Sequence, residues 1–229
     1  MTYKGGKAGA GVYQQIINQI PPHDVYIEPF FGGGAVLLHK RAAAASIALD
    51  VDYDVTIPAL EWAMPGLTVI TGDAISYLQN RRYGQVTFVY ADPPYLMSTR
   101  KRKSALYKHE FGLEEEHNRL LDVLLSLPCM VAVSGYSSSL YMARLQGWRH
   151  ISFNSVTRSG AVAREFLWMN YPEPTALHDY RYLGSNFRER EKINRQKKRW
   201  CMRLKKMSPL QRYALLSSIA ELNDGGSSL

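Results

Sequence analysis

The chain has 229 residues, 46% of them hydrophobic, and a formal net charge of +8. This length supports one sizeable core with a small appendage; no apolar run approaches the ~20 residues of a membrane span, no secretory signal stands at the N-terminus, and two distant cysteines, Cys129 and Cys201, have no metal or redox spacing, so a cytoplasmic protein off the membrane is expected. Residues 1–175 hold 16 Lys and Arg against 15 Asp and Glu, whereas residues 176–229 hold 12 against 5, and a basic tail behind a near-neutral body points to a polyanionic partner.

A helix is predicted over residues 11–20, stopped by Pro21-Pro22. Residues 25–28 read as a strand, followed by a glycine turn and a helix to about residue 44. A second short strand ends at Asp50, a third covers residues 67–70, and Asp73 begins a helix to about residue 80. Residues 86–91 are apolar, β-branched and aromatic, as in a buried strand. A polar, basic loop covers residues 96–108, an acidic-start helix residues 114–127, a fifth strand residues 130–134 and a helix residues 138–146. Two last strands, residues 148–156 and 164–171, flank a polar loop containing Ser159-Gly160. This alternation predicts an α/β fold: a Rossmann-like, doubly wound, mostly parallel sheet with a C-terminal β-hairpin. Pro172-Glu173-Pro174 marks a boundary, giving a body over residues 1–175 and a basic helical extension over residues 176–229.

Asp92-Pro93-Pro94-Tyr95 follows the fourth strand, at the sheet edge where open α/β folds bind ligands. Each proline fixes its own φ and restricts its predecessor. The stiff turn holds a carboxylate, a carbonyl and a ring around a flat group, a geometry suited to an exocyclic amine on a stacked base. Taken alone, Asp92 reads equally well as a turn cap. Upstream, Glu28-Pro29-Phe30-Phe31-Gly32-Gly33-Gly34-Ala35 joins strand to helix. Its glycines permit positive φ and close approach of a ligand, although the run does not fit the spaced dinucleotide fingerprint and serves equally as a tight turn. Asp50, followed by Val51, stands where a carboxylate meets a ribose in such folds; Asp52 and Asp54 are rivals. Asp73, before Ala74, reads as a helix N-cap. Arg100-Lys101-Arg102-Lys103 is either a phosphate-binding run beside the turn or a solvated loop. The tail cations, including Lys197, Lys198 and Arg199, suit a DNA-binding helix, with an arm docking through Trp200, Met202 and Leu204 as the second reading.

Several pieces in order resemble a known family. They are Tyr3-Lys4-Gly5-Gly6-Lys7, Tyr26 to Gly34, Ala48-Leu49-Asp50, Thr71-Gly72-Asp73, Asp92-Pro93-Pro94-Tyr95, Tyr107-Lys108-His109-Glu110-Phe111, Val131 to Tyr136 and Arg164 to Tyr171. The pattern resembles the Dam-type N6-adenine DNA methyltransferases of the D12 class, in a small phage- or prophage-like form. The resemblance implies S-adenosylmethionine as cofactor, held by Tyr3, Lys7, Glu28, Pro29, Phe30, Phe31, Gly32, Gly33, Gly34, Ala35, Asp50, Val51, Asp73, Ala74 and Asp92. It places Lys7 near the cofactor carboxylate and Asp73 on the cofactor's adenine amine. Asp92, Pro93, Pro94 and Tyr95 are implied to be catalytic, acting on an adenine flipped out of duplex DNA, with Tyr107 and His109 bordering the base. Arg100, Lys101, Arg102, Lys103, Lys197, Lys198 and Arg199 are the candidate DNA contacts. Methylation of cytosine N4, of adenine in RNA or of a protein glutamine, and an inactive DNA-binding relative, are the alternatives. Such enzymes carry a target-reading domain between the segments matching Asp73 and Asp92. Here only a short helix and a strand fit there, so short or relaxed specificity is expected.

Overall fold

The computed structural model describes residues 7–9, 11–84, 86–100, 109, 111–156 and 160–224. Seven strands form its sheet: β1 (Val25–Glu28), β2 (Ala45–Asp50), β3 (Leu67–Thr71), β4 (Thr87–Ala91), β5 (Met130–Gly135), β6 (Arg149–Val156) and β7 (Val162–Met169). Their order is β3-β2-β1-β4-β5-β7-β6. The pairs β1–β2, β1–β4, β2–β3 and β4–β5 are parallel, and β7 runs antiparallel to both β5 and β6. The fold is therefore a Rossmann-like, doubly wound α/β sheet closed by a hairpin. The strand order reverses between β1 and β4, where such sheets open a crevice for a ligand.

The central strands are apolar without alternation because helices cover both faces. All residues of β1 and β4 are buried. Successive residues point to opposite faces, so Tyr26, Phe88, Tyr90 and Leu167 enter one core while Ile27, Val89, Ala91 and Trp168 enter the other. The first core is covered by α1 (Val12–Ile17), α2 (Ala35–His39) and α3 (Tyr53–Leu60). The second is covered by α4 (Ala74–Asn80), α5 (Glu114–Ser126) and α6 (Ser139–Arg144). In α5, Leu120, Leu121 and Leu124 form the buried stripe, each contributing about 1.5–3 kcal/mol of burial.

Three features depart from the sequence reading. Helix α2 stops at His39, not near residue 44. The backbone beyond it bonds elsewhere: the Asp179 carboxylate accepts the Arg41 N–H at 2.8 Å, and the His178 ring lies 3.1 Å from the Arg41 carbonyl. Helix α3 was not anticipated, because it contains Pro58 and begins on β-branched and acidic residues; the Asp52 side chain caps it by accepting from Asp54 N–H at 3.1 Å. The compact body also runs past residue 175. It spans Met1–Tyr182, and Leu183–Leu229 forms the second unit. Residues 176–182 are bound to the body through His178 N–H on the Ile20 carbonyl at 2.9 Å, and through a Tyr182 carbonyl that accepts from Asn18 at 2.6 Å.

The second unit holds α7 (Phe187–Lys206) and α8 (Pro209–Asp224). Asn186 caps α7, its side chain accepting from Glu189 N–H at 3.0 Å. No residue of α7 is buried, as its charge density demands. Among the described residues, no helix is long and apolar enough to cross a membrane.

Candidate active site

A cavity of about 680 Å³ opens at the C-terminal ends of β1 to β4. Each parallel strand delivers one segment to its wall: Pro29 to Ala35 after β1, Asp50 to Asp52 at the end of β2, Gly72 to Ser76 after β3 and Asp92 to Tyr95 after β4. Lys7, His109, Phe111 and the Glu116, Arg119 and Asp122 side of α5 complete it.

The turn after β1 is built around backbone geometry that glycine supplies. Gly32 and Gly34 have φ of 50° and 60°. Phe31 N–H bonds the Leu49 carbonyl at 2.9 Å, Gly34 N–H bonds the Phe31 carbonyl at 2.8 Å, and the Phe31 ring is buried beneath. A Cβ on Gly34 would lie 2.3 Å from that ring and 3.0 Å from Trp62. Strain and overlap therefore add. Gly34→Ala is expected to cost at least about 2 kcal/mol of stability, measured by urea unfolding; an unfolding curve superimposable on that of the parent chain would contradict the tight packing of the turn.

Asp50 is the brace of this turn. One carboxylate oxygen accepts Gly32 N–H at 2.8 Å and the other accepts Asp52 N–H at 3.0 Å. Burial raises its pKa, against these two bonds. Asp52, a rival candidate, is committed to capping α3. Asp73 caps α4, accepting Ser76 N–H at 2.7 Å, and its carboxylate retains further lone pairs toward the cavity. Val51 and Phe30 supply apolar wall, Phe30 standing edge-on to Phe111 at 5.5 Å.

Glu28 is buried behind the turn and accepts the Tyr26 hydroxyl at 2.9 Å. Burial pushes its carboxyl up to about 8 from 4.5, so it is neutral at pH 7. Between those two values the folded chain holds a proton that the unfolded chain has released, so Glu28 makes stability fall as pH rises through that window. Glu28→Gln should flatten the unfolding free energy across the same window, as followed by denaturant melts at several pH values. An undiminished slope would place the pH dependence elsewhere.

The corner after β4 gathers charged groups. The ammonium of Lys7, expected from the resemblance near a cofactor carboxylate, lies 2.6 and 2.7 Å from the two oxygens of Asp92 and 2.7 Å from the Tyr95 hydroxyl. The reason is charge: the corner holds a second acid, Glu165, 3.4 Å from Lys7 Nζ, and both carboxylates are largely removed from water. Burial raises the Asp92 pKa, which Lys7 opposes. The Glu165 pKa is lowered: burial, the largest influence, acts upward and is outweighed by the Lys7 charge and by bonds from Ser155, Tyr95 and Lys7. Tyr95 donates to Glu165 at 2.8 Å and meets Tyr136 edge-on at 4.5 Å.

Arg100, expected among the phosphate-binding cations, is instead buried, and its Nε donates to the Tyr95 carbonyl at 2.6 Å. It turns inward because that carbonyl needs a donor, and it thereby fixes the Asp92–Tyr95 turn. His109 is exposed at the cavity wall. Tyr3, Lys101, Arg102, Lys103 and Tyr107 lie outside the described residues. Lys197, Lys198 and Arg199 are exposed on α7. Glu165 and Tyr136 stand in the sequence only within the longer segments Arg164 to Tyr171 and Val131 to Tyr136. The one signal for Glu165 was a charge interrupting the apolar strand β7.

Among solved structures, the chain is similar to precorrin 8W decarboxylase of Methanobacterium thermoautotrophicum, at 13% identity and TM-score 0.48, over 74% of this chain and 94% of that one. It is also similar to a Plasmodium falciparum dimethyladenosine transferase, at 16% identity and TM-score 0.47, over 74% and 64% of the two chains. A third is magnesium protoporphyrin IX methyltransferase from Synechocystis, with bound S-adenosylmethionine, at 13% identity and TM-score 0.44, over 69% and 75%. No curated protein sequence matches the chain. The model of the D12 class N6 adenine-specific DNA methyltransferases matches residues 3–64. That match takes in Lys7, the glycine turn and Asp50, and ends before Asp73 and Asp92. Among the described residues, the cavity wall carries six Asp and Glu side chains besides the neutral Glu28, against one lysine and one arginine, which leaves it acidic overall.

Proposed function

We propose that the protein transfers a methyl group from S-adenosylmethionine to the N6 amine of adenine in DNA. The observation that carries this reading is the meeting of Asp92, at the end of β4, with the glycine cradle after β1 in one cavity at the point where strand order reverses. Bound in the cradle, S-adenosylmethionine supplies a methyl group on a positively charged sulfur and leaves as a neutral thioether. The protein's task lies with the amine, whose lone pair is delocalised into the ring. Asp92 and the Pro93 carbonyl accept its two N–H bonds and favour a pyramidal nitrogen. The nitrogen gains the methyl carbon, becomes positive and then loses one proton to Asp92 or water. The acid stabilises that charge as it develops, and the stiff proline turn supplies placement. Tyr95 and the neighbouring Tyr136 form the aromatic wall for a base that leaves the duplex at a cost of a few kcal/mol.

Between Asp73 and Asp92 the chain has room only for α4 and β4, which supports a short or relaxed recognition site. Methylation-sensitive sequencing of DNA from cells expressing the protein tests both points. N6-methyladenine at short or scattered sites is expected; unmethylated adenine opposes the reaction, and a strict site of about six base pairs opposes the relaxed specificity. The basic helix α7 suits the phosphate backbone in a sequence-independent way. Replacing Lys197, Lys198 and Arg199 together by alanine should weaken binding equally across sequences. It should also lower the slope of log affinity against log salt by up to about three, measurable by fluorescence anisotropy. An unchanged slope would remove these residues from the DNA contact.

A further inference from the structure

Resting on the reading above, we propose that Glu165 is a positioning residue of the transfer step: it keeps the Asp92–Lys7 corner net negative and draws Lys7 aside when the amine reaches Asp92. Because β7 runs against the parallel strands, its early residues return to the sheet edge where β4 and β5 end. Phe166 pairs with Gly135, the last residue of β5, and Glu165 stands one position nearer that edge. There it receives the Tyr95 hydroxyl at 2.8 Å and lies 3.4 Å from Lys7 Nζ.

The charges make this placement consequential. Asp92 and Lys7 alone cancel, and a neutral corner gives little to an amine that turns positive as it is methylated. Glu165 restores one negative charge at contact distance, where a water-poor site makes it effective. Geometry adds a second role. An ammonium has three donors, and Lys7 directs contacts of 2.6, 2.7 and 2.7 Å to both Asp92 oxygens and to Tyr95. An entering N6–H competes for the same Asp92 oxygens. Glu165 is the next acceptor in line for Lys7, so the lysine can yield an Asp92 oxygen while staying paired. Among the described residues, the other titratable groups that interact with Asp92 are Glu28 at the end of β1 and the hydroxyls of Tyr26, Tyr90, Tyr136 and Tyr141. The Glu28 carboxyl is neutral at pH 7, and burial holds the tyrosine hydroxyls protonated, that of Tyr90 bonded to Ser134 at 2.8 Å. None of them replaces the charge of Glu165.

The test compares the parent chain, Glu165→Gln and the double variant Lys7→Met/Glu165→Gln in single-turnover methylation of duplex DNA. Binding of S-adenosylhomocysteine by calorimetry shows whether each is folded. Glu165→Gln keeps the Tyr95 bond but removes the charge; its rate should fall about 100-fold with S-adenosylhomocysteine affinity unchanged. The double variant leaves Asp92 as the single charge and should regain about tenfold or more of that loss, a recovery that a packing role would not produce. In the apoprotein, carbon-13 NMR titration of the carboxyls should show Glu165 ionising below the usual glutamate range. In Lys7→Met, one of the Asp92–Glu165 pair should hold its proton to higher pH. A Glu165→Gln rate like that of the parent, a double variant no faster than the single, or a carboxyl titration indifferent to Lys7 would overturn the assignment while leaving the proposed reaction standing. Should the parent chain bind S-adenosylhomocysteine yet methylate no DNA, the proposed reaction falls and the role of Glu165 with it.

Discussion

Asp92→Ala is expected to lower methyl transfer by at least about 10³-fold while leaving S-adenosylmethionine affinity nearly unchanged. The substitution removes the acceptor for the amine and the negative charge that answers the cation formed there. It leaves the cradle intact, since Asp50, Asp73 and the glycine turn are held by their own backbone bonds. Lys7 does not become an isolated buried charge, because Glu165 and the Tyr95 hydroxyl lie 3.4 and 2.7 Å away. The chain should therefore fold, and a null rate can be read as chemistry. Single-turnover kinetics beside calorimetric titration of the cofactor separate the two effects. A variant that still methylates adenine at a tenth of the parent rate would remove Asp92 from its role.

The second large effect belongs to Asp50. Its carboxylate accepts two main-chain N–H groups, at 2.8 Å from Gly32 and 3.0 Å from Asp52. Asp50→Ala leaves both without that acceptor in a largely buried place, at a cost of about 1–3 kcal/mol each. The same change deletes the residue proposed for the cofactor ribose, so affinity should drop about 100-fold. Asp50→Asn keeps one acceptor oxygen and should fall between. Unfolding curves and cofactor titrations on the same preparations test this coupling. A variant with parent-like stability but lost binding would show that the carboxylate serves only the ligand, and the reverse would show that it serves only the turn.

What the sequence revealed, and what it did not, follows from the range of the forces involved. The strands β1, β4 and β5 were legible because a parallel strand covered on both faces must be apolar throughout. The glycine turn and the proline corner were legible because both depend on local backbone restrictions. The end of α2 was not, since it is decided by Asp179 and His178, more than 130 residues away. Helix α3 was hidden by Pro58, which argues against a helix locally but is tolerated here. The partners of Lys7 lie 85 and 88 residues along the chain, and Glu165 meets Tyr95 across 70. No spacing rule shows that an N-terminal lysine neutralises a strand-end aspartate. Arg100 shows the same limit: a run of cations reads as a solvated loop, and only the folded Tyr95 carbonyl turns its first member inward.

In the proposed reaction, the cradle and the Asp92 corner bring a methyl donor to an adenine amine. Its most direct test is to incubate the purified chain with DNA and methyl-labelled S-adenosylmethionine, then digest the DNA to nucleosides and separate them by mass. Label is expected in N6-methyl-2′-deoxyadenosine from the DNA, and none when Asp92 is alanine. Label in N4-methylcytosine, or transfer to RNA with none to DNA, would contradict it.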